Sequence, residues 1–165
     1  MTANAQSLAG RHALVTGGGR GIGAAIAAAL AGAGARVTLL ARNADELGAT
    51  AIAIGRTTVT VTADVTDPAQ VARAFVEARE AAGPIDILVN NAGLAKSRPL
   101  AKTDEDFWRA ILEVNLTGAY HCTRAALPAM LAANRGRIVN VASTAGLRGY
   151  AYCTAYCAAK HGLVG

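Results

Sequence analysis

Short β-branched and aliphatic runs alternate along this chain with longer alanine-rich segments of helical period, and this alternation restricts the fold more than any other feature. Repetition of that order is the pattern of βαβ units around a parallel sheet. It predicts strands over His12 to Thr16, Arg36 to Leu40, Thr58 to Thr62, Ile85 to Asn90 and Arg137 to Val141. With 165 residues, 53% of them hydrophobic, residues 1–165 are expected to form one domain with a substantial core. Helix starts agree. Asp67, Pro68 and Gln70 supply an N-cap, a proline at the first helical position and a capping-box partner. Thr103 with Asp106 repeats that logic, and the helix that follows places Phe107, Ile111 and Val114 on one face, expected to meet the sheet. Pro128 is expected to kink or end it.

Other classes fall away. The formal charge of +5 comes from scattered residues, thirteen of the sixteen cations being Arg, so the clustered face of a nucleic-acid binder is not expected. The opening MTANAQSLAGRH lacks a basic start, an apolar stretch and a cleavage site, making the cytoplasm the expected location. The longest uncharged stretch, Gly21 to Ala35, is short of the about 20 apolar residues of a membrane span. Cys122, Cys153 and Cys157 are an odd set without zinc-site grouping, and the expectation is packing rather than metal. His12, His121 and His161 are expected to be structural or exposed.

The segment HALVTGGGRGIGAAIAAAL runs from a strand through a glycine-rich turn into a helix, the context that gives a glycine motif meaning. Gly17, Gly21 and Gly23 follow a G-x-x-x-G-x-G spacing, which lets backbone approach a pyrophosphate at the positive end of the next helix. Thr16, Gly17, Gly19, Arg20, Gly21, Ile22 and Gly23 are therefore candidate cofactor contacts; the stricter G-x-G-x-x-G form is absent because Ile22 takes its last place. At the end of the second strand a carboxylate would bind the ribose of NAD. Ala41 stands there, followed by Arg42, and a guanidinium matches a phosphate monoester. Arg20 in the glycine turn lies on the same side, so NADP(H) is the expected cofactor.

Ser143 lies just past a predicted strand, and thirteen residues on comes Tyr156, with Lys160 at i+4. On a helix that spacing sets phenol and ammonium on one face, where the cation favours the ionised phenol. Tyr156 is thereby a candidate acid/base.

TGGGRGIG, ADV at 63–65, NNAG at 90–93, VNLTG at 114–118, Ser143 and YCAAK together resemble the short-chain dehydrogenase/reductase family along the whole chain. The resemblance implies a Rossmann-type doubly wound parallel sheet in three α/β/α layers. It implies an oxidoreductase that moves a hydride between nicotinamide and a carbonyl or secondary alcohol, with Asn115, Ser143, Tyr156 and Lys160 as catalytic tetrad. Tyr156 would protonate the substrate oxygen, Lys160 would assist it and hold the nicotinamide ribose, and Ser143 would hydrogen-bond that oxygen. Asn115 would interrupt regular helix bonding and hold a water of the proton relay. Asp64 and Val65 would contact adenine, and Asn91, Ala92 and Gly93 would line the nucleotide floor. GRIVNVAST and YCAAKHGLVG look most like the 3-oxoacyl reductase and polyketide ketoreductase branches, implying a 3-oxoacyl thioester or related ketone. A homodimer or homotetramer is implied as well.

Family members continue well beyond the Tyr-x-x-x-Lys helix, so the sequence reads as truncated there, without the substrate lid. NAD(H)-dependent alcohol dehydrogenation and a non-catalytic dinucleotide-binding module are the alternatives. The module would show a broken tetrad, whereas all four residues are present.

Overall fold

The computed structural model describes residues 7–55 and 58–165; the stretch read above for a targeting signal begins outside them. Five strands, β1 (His12–Thr16), β2 (Arg36–Ala41), β3 (Thr58–Thr62), β4 (Ile87–Asn90) and β5 (Arg137–Asn140), make one parallel sheet in the order β3-β2-β1-β4-β5. The parallel sheet expected from the alternation is present, doubly wound as the resemblance implies. Strand bounds shift slightly: β4 starts after Ile85 and Asp86, although Asp86 N–H still donates across to the His12 carbonyl of β1, and β5 ends at Asn140.

Side chains alternate across the sheet, as a period of two requires. Leu14 and Leu40 join Phe75, Val71 and Leu88 in one core, while Val15, Val37 and Leu39 join Ala27 and Leu47 in the other. α1 (Gly21–Gly32) and α2 (Ala44–Ile54) cover the second face; α3 (Pro68–Ala82) and α5 (Gly118–Ala132) cover the first. Each fully buried side chain of this size stabilises the fold by about 1.5–3 kcal/mol. β1 pairs β2 on one side and β4 on the other, so a cleft opens at the C-terminal ends of the central strands where the winding reverses direction.

Local expectations met four corrections. Asp67 caps α3 through Ala69 and Gln70 as expected, but the Gln70 side-chain carbonyl accepts from Asp64 N–H instead of from the cap residue. The next helix, α4 (Glu105–Leu112), is capped by Asp104, which accepts from Phe107 N–H, while the Thr103 hydroxyl donates to the Pro99 carbonyl. Its apolar face meets another helix, not the sheet: Ile111, with Phe107 against it, packs on Ala155 and Ala159 of α6 (Thr154–Val164), and Val114 lines the cleft. Pro128 neither ends α5 nor stops it short of Ala132. The proline sits on the exposed side with Arg124, so the carbonyl it leaves unpaired meets water, while buried Cys122, Ala126 and Met130 hold the opposite side. Cys122 is in the core, and burial pushes its thiol up to about 12.

At the other end of the sheet His12 is completely buried, its Nδ1–H donating to the Gly83 carbonyl and its Nε2 accepting from the Thr38 hydroxyl, both at 2.8 Å. Burial lowers its pKa from the ordinary 6.5. Burial also pushes Asp86 upward, but the His12 N–H and the Arg135 guanidinium outweigh it and hold the carboxyl below its usual range. Below pH 6.5 the unfolded chain takes up a proton that the folded His12 resists, so this residue's contribution to stability is lost as pH falls from 6.5 toward the lower folded value. Urea midpoints measured above and below that window should fall with pH in the native chain and fall less in His12→Gln. An equal fall in both would remove His12 as the cause.

Candidate active site

The glycine turn and the end of β4 are sewn together by one buried hydroxyl. Thr16 Oγ1 accepts from Asn91 N–H and Ala92 N–H, each at 3.0 Å, and donates to the Val89 carbonyl. Asn91 Nδ2 donates back to the Thr16 and Gly17 carbonyls. Gly17 has φ +64, and a Cβ on Gly23 would overlap the Gly17 carbonyl and Asn91 Nδ2, so both positions need glycine. The open cleft above has a volume of about 930 Å³ and is lined by Gly17, Gly19, Arg20, Ile22, Gly23, Arg42, Asp64, Val65, Asn91, Ala92 and Gly93. Thr16 lies beneath it as a brace, and Gly21, at φ +55, turns the chain into α1. The Arg20 backbone forms the extended start of α1, whose first N–H groups face the cleft end of the sheet.

Two carboxylates share this cleft with the arginines. Arg42 Nη1 lies 3.6 Å from Asp64 Oδ2, and Arg20 Nε lies 3.5 Å from Glu46 Oε2, with both guanidinium groups largely exposed. Asp64 is further committed by accepting from the Thr66 N–H and hydroxyl. Sequence reasoning did not single out Glu46; it sits on α2, one turn past the strand-end position where a carboxylate is diagnostic.

The predicted tetrad gathers beyond Gly93. A π-type segment, Glu113–Thr117, separates α4 from α5. This register break releases the Ile111 carbonyl, which accepts from Asn115 Nδ2 at 2.9 Å. Asn115 is nearly fully buried; Nδ2 also donates to the Leu94 carbonyl, and Oδ1 accepts from Leu94 N–H. A Cβ on Gly93 would lie 3.0 Å from Asn115 Oδ1 and 4.0 Å from Lys160 Nζ, so the strand-end loop passes directly beside both.

Lys160 is 4% exposed, and its Nζ donates to the Val141 carbonyl at 2.7 Å. Burial lowers its pKa. Nζ stands 5.9 Å from the centre of the Tyr156 ring, confirming that i and i+4 share a face. Ser143 opens a short 3₁₀ turn, Thr144–Gly146, accepting from Ala145 N–H, which leaves its own O–H to donate elsewhere. Gly146 presses this turn onto the Lys160 carbonyl, seating Ser143 against α6. The Val141 carbonyl and the Leu94 backbone were not foreseeable as partners, since backbone groups carry no residue-type signal.

The histidines and remaining cysteines sit outside this group. His121 Nδ1 bonds the Val65 carbonyl and His161 Nδ1 the Cys157 carbonyl. Cys153 precedes α6, and Cys157 is buried with its thiol toward the Arg148 carbonyl. Among the described residues no helix is long and apolar enough to cross a membrane.

Residues 11–165 match the sequence profile of the short chain dehydrogenase family. The chain is 40% identical over 166 residues to 2-dehydro-3-deoxy-L-rhamnonate dehydrogenase (NAD(+)) of Sphingomonas sp., covering all of this chain and 66% of the relative. It is 39% identical to 3-oxoacyl-(acyl-carrier-protein) reductase FabG of Escherichia coli, over 94% of this chain and 64% of the relative. A solved structure of an actinorhodin polyketide ketoreductase variant with NADPH superposes with TM-score 0.91 at 38% identity, covering 93% of this chain and 61% of that one. The chain thus spans just under two thirds of the length of these relatives. With this glycine turn, parallel sheet and Asn, Ser, Tyr and Lys set in one chain, and the profile matched from Arg11 onward, the protein belongs to the short-chain dehydrogenase family.

Proposed function

We propose that the protein is an NADP(H)-dependent oxidoreductase acting between a ketone and a secondary alcohol, with a 3-oxoacyl thioester or related ketone as substrate. The observation that carries this is Lys160, a buried cation beside Gly93, Asn115 and the Tyr156 ring, with one hydrogen bond to Val141 and further N–H groups to donate. The cleft fits a dinucleotide, because Gly17, Gly19 and Gly23 line it with backbone at the start of α1, where unpaired N–H groups favour a phosphate. When bound, the nicotinamide cofactor supplies or accepts the hydride. Tyr156 holds the proton exchanged with the substrate oxygen, Ser143 donates its hydroxyl hydrogen to that oxygen, and Lys160 holds the ribose. Asn115 fixes the Leu94 backbone and so the wall of the site.

The thioester reading is supported by likeness to the Escherichia coli reductase and the polyketide ketoreductase. A homodimer or homotetramer is supported by Tyr120, Leu127 and Leu131 of α5, which stay exposed. NAD(H) is the second reading, favoured by the carboxylates that balance Arg20 and Arg42. Calorimetry separates the two. Arg42→Ala is expected to weaken NADPH binding by about tenfold or more and NADH binding far less, because one charge-assisted bond to a phosphate contributes about 1.5–3 kcal/mol. Equal weakening of both would favour NAD(H).

A further inference from the structure

Charge is divided unevenly along this chain. Residues 87–103 and 114–165 hold eight Lys or Arg and no Asp or Glu, whereas the rest hold eight cations and all eleven carboxylates. The three lysines, Lys96, Lys102 and Lys160, all fall in the carboxylate-free part. Two loops of that part border the Ser143 and Tyr156 site. The first leaves Gly93, beside Lys160, and is pinned at Arg98, whose N–H donates to the Tyr152 carbonyl of the second at 2.7 Å. Lys96 lies between these two fixed points. Tyr152 holds φ +64, a left-handed conformation that disfavours a residue with a side chain, so the junction is maintained against strain.

Arg148 is the best-placed cation of the second loop. Its Nε donates to the Tyr150 hydroxyl at 2.8 Å, and that hydroxyl donates to Thr144 Oγ1 at 3.0 Å, directly after Ser143. The guanidinium carbon also lies 5.0 Å from the centre of the Tyr150 ring, and the Arg148 N–H donates to the Thr144 carbonyl. Backbone and side chain thus aim this guanidinium at the Ser143 turn, with its two terminal NH₂ groups unengaged by the described residues. Arg98 differs: its charge is matched by Asp104 at 2.8 Å and it stacks on Phe107. Lys96, Lys102 and Arg148 have no carboxylate partner among the described residues.

We propose that this rim is an anion site. The substrate carries a carboxylate or a phosphate close to its reacting carbonyl, Arg148 takes that group through its paired N–H donors, and Lys96 and Lys102 draw it in. The inference rests on the oxidoreductase reading above and, within its substrate class, takes an anionic ketone over the thioester, whose carbonyl has no charged group beside it.

The test uses matched pairs: acetoacetate against methyl acetoacetate, and dihydroxyacetone phosphate against dihydroxyacetone, in the native chain and in Arg148→Gln. In at least one pair the charged member should be preferred in kcat/KM by about tenfold or more. That ratio should shrink as salt rises from about 0.02 to about 0.5 M and collapse toward one in Arg148→Gln. The pair showing the preference identifies carboxylate or phosphate. Equal use of charged and neutral members, or an Arg148→Gln loss that falls equally on both, would overturn the site. If no ketone is turned over, the same pairs are titrated by calorimetry into the chain saturated with NADP+. Arg148-dependent binding of the charged member then supports the anion site and its absence overturns it, while missing turnover counts against the oxidoreductase reading alone.

Discussion

Tyr156→Phe should lower the rate of ketone reduction by about 10²–10⁴-fold while NADPH affinity and the urea midpoint stay where they are. The Tyr156 hydroxyl makes no hydrogen bond to the described residues, so its removal orphans no buried partner, and the ring keeps its packing on the Ile111, Ala155 and Ala159 cluster. What disappears is the phenol beside Lys160 that the proposed function gives the substrate's proton. Single-turnover NADPH oxidation and calorimetry on the same preparation separate chemistry from binding. A variant that loses NADPH binding to the same degree as turnover would show that Tyr156 builds the cofactor site and is not the acid.

Gly23→Ala should damage both folding and cofactor binding. A Cβ there would overlap the Gly17 carbonyl, which is backbone and cannot swing aside, and Asn91 Nδ2, which ties the turn to β4. Relief requires opening the turn, at about 1–3 kcal/mol, with NADPH affinity falling by about tenfold or more as the backbone cradle widens. Gly32→Ala, in the same helix, is the control: its Cβ would meet nothing, and the gain in helix propensity should stabilise the chain by about 0.5–1 kcal/mol. Urea midpoints and NADPH titrations on both variants measure the contrast. If the two alanines behave alike, the close approach of Gly23 to Gly17 has no energetic consequence.

Much of the site was legible because its chemistry depends on residue type at fixed spacing. Tyr156 and Lys160 are neighbours on any helix, and the glycines of the first turn follow a strand wherever that turn is built. Reading failed where spacing was not the cause. Thr103 has the residue type of a cap, yet Asp104 takes the position and Thr103 bonds the Pro99 carbonyl. Pro128 survived inside α5 because the opposite face is anchored in the core, a contact no local rule sees.

The residues alone determined the alternating strands and helices, the parallel sheet they require, the glycine cradle and the Tyr156–Lys160 pair, since each follows from periodicity or from the needs of one short segment. Only the tertiary structure decided that Lys160 is buried on the Val141 carbonyl, that Asn115 ties Leu94 to Ile111 through a π-type break, and that Arg20 and Arg42 face carboxylates. It also decided that Arg148 reaches back through Tyr150 to the Ser143 turn. These contacts join segments far apart in the chain or run through backbone groups common to every residue, and packing is what brings them together.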